Sequence, residues 1–154
     1  MRTKLNIFRC MALAAALASA QWAHATLGGN ADTIASDRKA LSAVHRATTS
    51  HNGYTVEEIA FENTAVREYV SPAGIVFGIA WNGYTHPDLT YLLGSYSGEY
   101  LEALRKKPRT HGRRQQRLVT DNIVVEKWGH MRDLQGRAYA PDLVPSGVRI
   151  DEIK

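Results

Sequence analysis

Residues 54–81 read YTVEEIAFENTAVREYVSPAGIVFGIAW, and this stretch decides the fold. Residues 54–61 are rich in aromatic and β-branched types, the composition of a strand. Glu62-Asn63-Thr64 supplies a turn, and Val66–Ser71 reads as a second strand. Ser71-Pro72-Ala73-Gly74 makes a tight turn, with Pro72 holding the fixed φ of its second position. Ile75, Phe77, Ile79 and Trp81 then alternate with Val76, Gly78 and Ala80. That spacing predicts a large apolar face and a small-residue face suited to close approach by a helix. Asn82-Gly83 ends the strand. Strands that arrive as successive hairpins predict an antiparallel sheet rather than a doubly wound parallel one.

Downstream, Leu89, Leu92, Leu93, Tyr96, Tyr100, Ala103 and Leu104 follow the spacing of one buried helix face. The expectation is one long amphipathic helix over about 86–105. Thr85 and Asp88 fit a capping box, and Pro87 is tolerated in the first turn. Gly94 and Gly98 each cost about 1 kcal/mol inside a helix, but their spacing puts them on one side, where they admit a close neighbour. Upstream, residues 31–47 read as a smaller N-terminal helix with Ile34, Leu41 and Val44 near one face. Ser50–Gly53 is a turn cluster. Asn122–Trp128 is a further strand, and a short strand pair turns at Gln135-Gly136 and ends at Tyr139. The tail from Pro141 to Lys154 reads as irregular. The predicted class is therefore α+β: an antiparallel sheet of hairpins packed by that long helix and the smaller N-terminal one.

The first twenty-five residues read differently. Arg2, Lys4 and Arg9 precede an apolar run from Cys10 to Ala20, followed by Ala23-His24-Ala25. This is the pattern of a secretory signal peptide cleaved between Ala25 and Thr26, with Ala23 at the other small-residue position. The run is too short to span a bilayer, which takes about 20 residues. The expectation is residues 1–25 removed, residues 26–154 as a single globular domain, and no transmembrane helix afterwards. Three of the nineteen Lys and Arg leave with the leader, so sixteen face fifteen acids and the mature chain is close to neutral. Net charge then gives no support to nucleic-acid binding. Cys10, the only cysteine, leaves as well, which excludes a disulfide or a cysteine-ligated metal from the mature domain.

What remains basic is local. Arg105, Lys106, Lys107, Arg109, Arg113, Arg114 and Arg117 stand within thirteen residues without one acid, broken by Pro108 and Gly112. The mature chain before Arg105 is net acidic, so a basic loop at 105–117 can attract anionic lipid headgroups or an acidic partner patch. No catalytic constellation is legible. Gly94-Ser95-Tyr96-Ser97-Gly98 places Tyr, not Ser, at the centre of an elbow-like pattern, and within a helix. His130-Met131 offers imidazole and thioether suited to copper, a weak metal candidate with two adjacent ligands only. Glu57, Glu58, Glu62 and Glu68 read as the solvated face of a hairpin. No cofactor is expected.

Several motifs together resemble a family of exported proteobacterial proteins, domain of unknown function 2844. They are Tyr54-Thr55-Val56, Val66 to Gly74, Pro87-Asp88-Leu89 and Leu92-Leu93-Gly94-Ser95-Tyr96, with Gly129-His130-Met131-Arg132 and Gly136-Arg137-Ala138-Tyr139. The resemblance runs from Leu27-Gly28-Gly29 to about Val148. It implies a periplasmic or secreted protein of a Gram-negative bacterium and carries over no catalytic residue. The expected function is non-enzymatic: a binding or accessory protein of the cell envelope, meeting an envelope protein or anionic lipid and no nucleic acid. The rival expectations are a small exported hydrolase or metal-dependent enzyme, and a structural component of an envelope assembly.

Overall fold

The computed structural model describes residues 27–34, 38–39, 42–107 and 115–154. Seven strands form one sheet: β1 (Val44–His51), β2 (Tyr54–Phe61), β3 (Thr64–Val70), β4 (Val76–Gly83), β5 (Gln116–Val119), β6 (Val124–His130) and β7 (Asp133–Tyr139). Their order is β1-β2-β3-β4-β7-β6-β5, and every pairing is antiparallel. The first four strands are a meander. The chain then crosses one face of the sheet, enters the far edge as β5, and returns so that β7 lies beside β4. The antiparallel sheet of hairpins is as expected, but the molecule is more sheet-dominated than an α+β domain with one long helix.

The long helix over 86–105 is the first correction. It is divided into α1 (Leu89–Leu92), a 3₁₀ turn at Gly94–Tyr96, and α2 (Ser97–Lys106). Gly94 sits at φ +52°, a left-handed conformation that interrupts a right-handed helix. The cap differs too: Asp88 is the N-cap and accepts from the Thr90 N–H, while Thr85 Oγ1 meets Thr64 Oγ1. Gly98 admits no close neighbour, for a Cβ there would meet nothing within 4 Å. The smaller helix over 31–47 is also shortened. It starts as a 3₁₀ turn at Ala31–Thr33, and Val44 onward belongs to β1. Gln135-Gly136, expected as a turn, lies inside β7; the chain reverses instead at Met131-Arg132, between the paired residues His130 and Asp133.

Both faces of the sheet are covered. On one, Ile79 and Trp81 of β4 pack with Ile59, Val66 and Val125 beneath Leu89, Leu92, Leu93 and Tyr100. Leu27 is fully buried there, and the segment 27–31 is held by hydrogen bonds to Leu92, Val76 and Gly74. On the other face, Tyr54, Val56, Tyr69, Phe77 and Ala80 pack beneath the C-terminal segment, with Ile153 fully buried among them.

The expected alternation along β4 is broken once. Val70 pairs with Val76 while Tyr69 pairs with Gly78, so Phe77 is an extra residue in a bulge and joins Gly78 and Ala80 on the small-residue face. That face is covered by the tail, not by a helix. A Cβ on Gly78 would lie 2.9 Å from Ile153 Cδ1, so the missing side chain makes the seat for Ile153. The tail expected to be irregular is a strap of two 3₁₀ turns, Pro141–Leu143 and Ile150–Glu152.

Candidate binding groove beneath the C-terminal strap

Alternation along each strand turns every second side chain toward the strap. Where the strap stops covering the sheet, these side chains are polar and form a band across five adjacent strands. Glu58 on β2 accepts from Arg67 Nε on β3 at 3.1 Å. Arg67 Nη2 donates to Asn82 Oδ1 on β4 at 2.7 Å. Asn82 pairs with Gln135 of β7, and Gln135 Oε1 accepts the indole N–H of Trp128 on β6 at 3.1 Å. The band floors an open groove of about 870 Å³. Ala47, Thr49 and His51 of β1 line one side, and Arg149, Asp151, Glu152 and Lys154 of the strap line another.

The strap is tied to the same floor. Arg67 Nη1 and the Tyr69 hydroxyl both donate to the main-chain oxygen of Lys154, at 2.7 and 2.8 Å. Arg137 bonds Glu126 at 2.6 Å and donates to the carbonyls of Ile150 and Ile153, with its guanidinium over the rings of Trp128 and Tyr139. Tyr54 donates to Glu152 at 2.9 Å and stacks on His51 with ring centroids 4.8 Å apart. Burial, reinforced by the Glu152 carboxylate, pushes the Tyr54 hydroxyl up to about 12. Glu152 is held below the usual carboxylate range by the backbone N–H of Arg149 and by Tyr54. The groove is thus built from groups fixed by internal hydrogen bonds: a rigid surface suited to binding by hydrogen bonds and ring contact.

A second polar cluster lies on the helix-side face. His45 Nε2 is 2.9 Å from Glu57 and 3.1 Å from Thr48 Oγ1, which itself donates to Glu57 at 2.7 Å. The residue types suggest a catalytic triad, but carboxylate and hydroxyl share one ring nitrogen. A triad needs them on opposite nitrogens, so that the carboxylate orients the base that deprotonates the nucleophile. Deeper on this face, Trp81 donates to His86 Nδ1 at 2.9 Å, and burial together with Lys127 holds the His86 pKa below its ordinary value.

The basic stretch is placed in part. Arg109, Arg113 and Arg114 lie outside the described residues, as do the expected leader and its cleavage residues Ala23, Ala25 and Thr26. The other four cations have partners within the chain. Arg105 donates to the Leu101 carbonyl, Lys106 pairs with Glu102, Lys107 donates to the Arg117 carbonyl, and Arg117 pairs with Glu126. Arg117 stands on β5, so the loop ends sooner than expected. His130 and Met131 sit at the β6–β7 hairpin tip, where Met131 is 90% exposed. Among the described residues, no group of three or more His, Cys, Asp or Glu could hold a metal ion. The glutamates divide: Glu57 and Glu58 point to opposite faces, and Glu68 is fully buried instead of solvated.

The groove residues were not singled out by the sequence, although part of the signal was there. The two-residue turn at Glu62-Asn63 sets the register that pairs Glu58 with Arg67. Nothing local reveals that β7 lies beside β4 and brings Gln135, with Trp128 of β6 next to it, into the same row. Among the described residues no helix is long and apolar enough to cross a membrane. No curated protein and no solved structure matches the chain. One family model does, across residues 23–153 and therefore over the strands, the helices and the strap alike, and the chain belongs to that family, described as a protein of unknown function (DUF2844).

Proposed function

We propose that this is an exported, non-catalytic binding protein of the Gram-negative cell envelope, with the groove beneath the strap as its ligand seat. The observation that carries the reading is the polar band from Glu58 to Trp128, exposed to the groove yet fixed by internal hydrogen bonds. Preorganised groups of this kind lower the ordering cost of binding. Export rests on the leader pattern of residues 1–25. Expression of the full chain in a Gram-negative host should yield a periplasmic or secreted protein whose first residue, by mass spectrometry, is Thr26. Hydrogen exchange of that protein should slow at residues 54–70 when envelope extract is added. Unchanged exchange there would overturn the groove as a ligand seat.

The basic stretch supports a second contact, with anionic lipid. Arg105, Lys106, Lys107 and Arg117 are engaged within the chain, so the lipid contact falls mainly to Arg109, Arg113 and Arg114. Replacing these three with Gln should weaken binding to phosphatidylglycerol vesicles and reduce its salt dependence. Equal binding by the variant would remove the lipid contact and leave the groove untouched.

A further inference from the structure

We infer that the groove takes a neutral, linear glycan; this inference rests on the groove being the ligand seat. The first argument is charge. Arg67, Arg149 and Lys154 in the lining are balanced by Glu58, Asp151 and Glu152. A surface without net charge concentrates neither anions nor cations, so acidic polymers and polyamines gain no attraction there.

The second argument is the kind of polar group presented. The central strands of the floor, β2, β3, β4 and β7, are paired on both sides, so their backbone groups are consumed by the ladder. A peptide that adds to a sheet needs an open edge with free backbone groups. Here only side chains are available. Asn82 accepts from Arg67 through its oxygen, and its amide nitrogen carries two donors. Glu58 and Gln135 in the same row, and Thr49 on the β1 side, add acceptors and donors. A hydroxyl is at once donor and acceptor, and a chain of hydroxyls matches such a mixed row.

The third argument is the rings. The one polar atom of the Trp128 indole is spent on Gln135 and the Arg137 guanidinium lies over part of its ring, so the half-buried Trp128 offers the groove its remaining ring surface and no donor. His51, exposed and stacked on Tyr54, offers another ring at the β1 side. The electron-rich face of an aromatic ring complements the apolar C–H face of a pyranose. The row itself crosses five strands, roughly 19 Å at the usual interstrand spacing, which suits a chain of sugars and not a single one.

The test uses the mature chain with malto-, cello- and chito-oligosaccharide ladders, and an acidic oligogalacturonate ladder for contrast. Binding is read by tryptophan fluorescence and calorimetry. At least one neutral ladder should bind, more tightly as its chain lengthens. Trp128→Ala should weaken that binding about tenfold, and Trp128→Phe less, the scale of one aromatic contact. Thr49→Arg, on an exposed strand away from both cores, should obstruct the groove while the thermal midpoint is kept, and Leu101→Ala, exposed on α2 and outside the groove lining, serves as the control. If no neutral ladder binds, or only the acidic one does, the glycan inference is overturned. Exchange protection of residues 54–70 by envelope extract would then show the groove reading still standing, and its absence would remove both.

Discussion

At the residue scale, two positions tie sequence choice to stability. Gly136 lies where β7 passes the Trp81 indole, and a Cβ there would run into that ring and come within 2.6 Å of the Glu126 carbonyl oxygen. The indole is itself fixed by its bond to His86, and the carbonyl belongs to the adjacent strand, so neither yields easily. Gly136→Ala should destabilise by about 2–3 kcal/mol, the cost of overpacking a closed core, read as a lower urea midpoint. Tyr54 links stability to alkaline pH. In the unfolded chain its hydroxyl ionises near 10.0, whereas burial and Glu152 hold it protonated in the fold to about 12. The folded state therefore binds the proton more tightly. That contribution is complete below pH 10 and is lost as pH rises from 10 through about 12. Tyr54→Phe should remove this alkaline loss, and a denaturation series from pH 8 upward should show a flatter limb for the variant.

At the element scale, β1 stands apart. All eight of its residues are exposed, whereas β3 and β4 are largely buried. It is held by the hairpin ladder to β2 and by surface contacts such as His45–Glu57, not by a core. Its bulge at Arg46 is a common way to blunt an exposed sheet edge. Hydrogen exchange should therefore be faster in β1 than in β3, β4 and β7, with amides of β4 among the slowest. Equal protection of β1 and β4 would contradict this ranking. Burial also explains why β1 was missed from the sequence. Val44 lies at helical spacing from Leu41, but Thr48, Thr49 and Ser50 form no buried face that would mark a strand. The segment 86–105 misled in the opposite direction: its apolar spacing is real, and its buried residues do face one core, yet a left-handed Gly94 divides it.

At the scale of the whole molecule, the strap completes the fold. It covers Tyr54, Tyr69, Phe77 and Ala80, and it supplies Ile153 to fill the space above Gly78. Ile153→Ala should cost about 2–4 kcal/mol, the usual range for emptying a buried aliphatic site. Arg137→Gln should loosen the same segment by removing the donors to Ile150 and Ile153 and the ion pair with Glu126. Both variants should become more sensitive to limited proteolysis within 141–154, while cleavage in β4 stays unchanged. Sensitivity equal to that of the parent chain would mean that the strap is held by other contacts.

The sequence alone determined the local units: the hairpins from Tyr54 to Trp81, the antiparallel sense of the sheet and the family motifs. These depend on side-chain alternation and turn chemistry between near neighbours, and such signals survive in one dimension. Only the tertiary structure decided the bulge that moves Phe77, the insertion of β7 beside β4, the strap on the small-residue face, and hence the groove. Each depends on partners distant in sequence, as when Tyr69 meets Lys154 eighty-five residues away. Their pairing is settled by which surfaces remain to be covered once the sheet has formed, and that is a property of the assembled sheet and not of any segment.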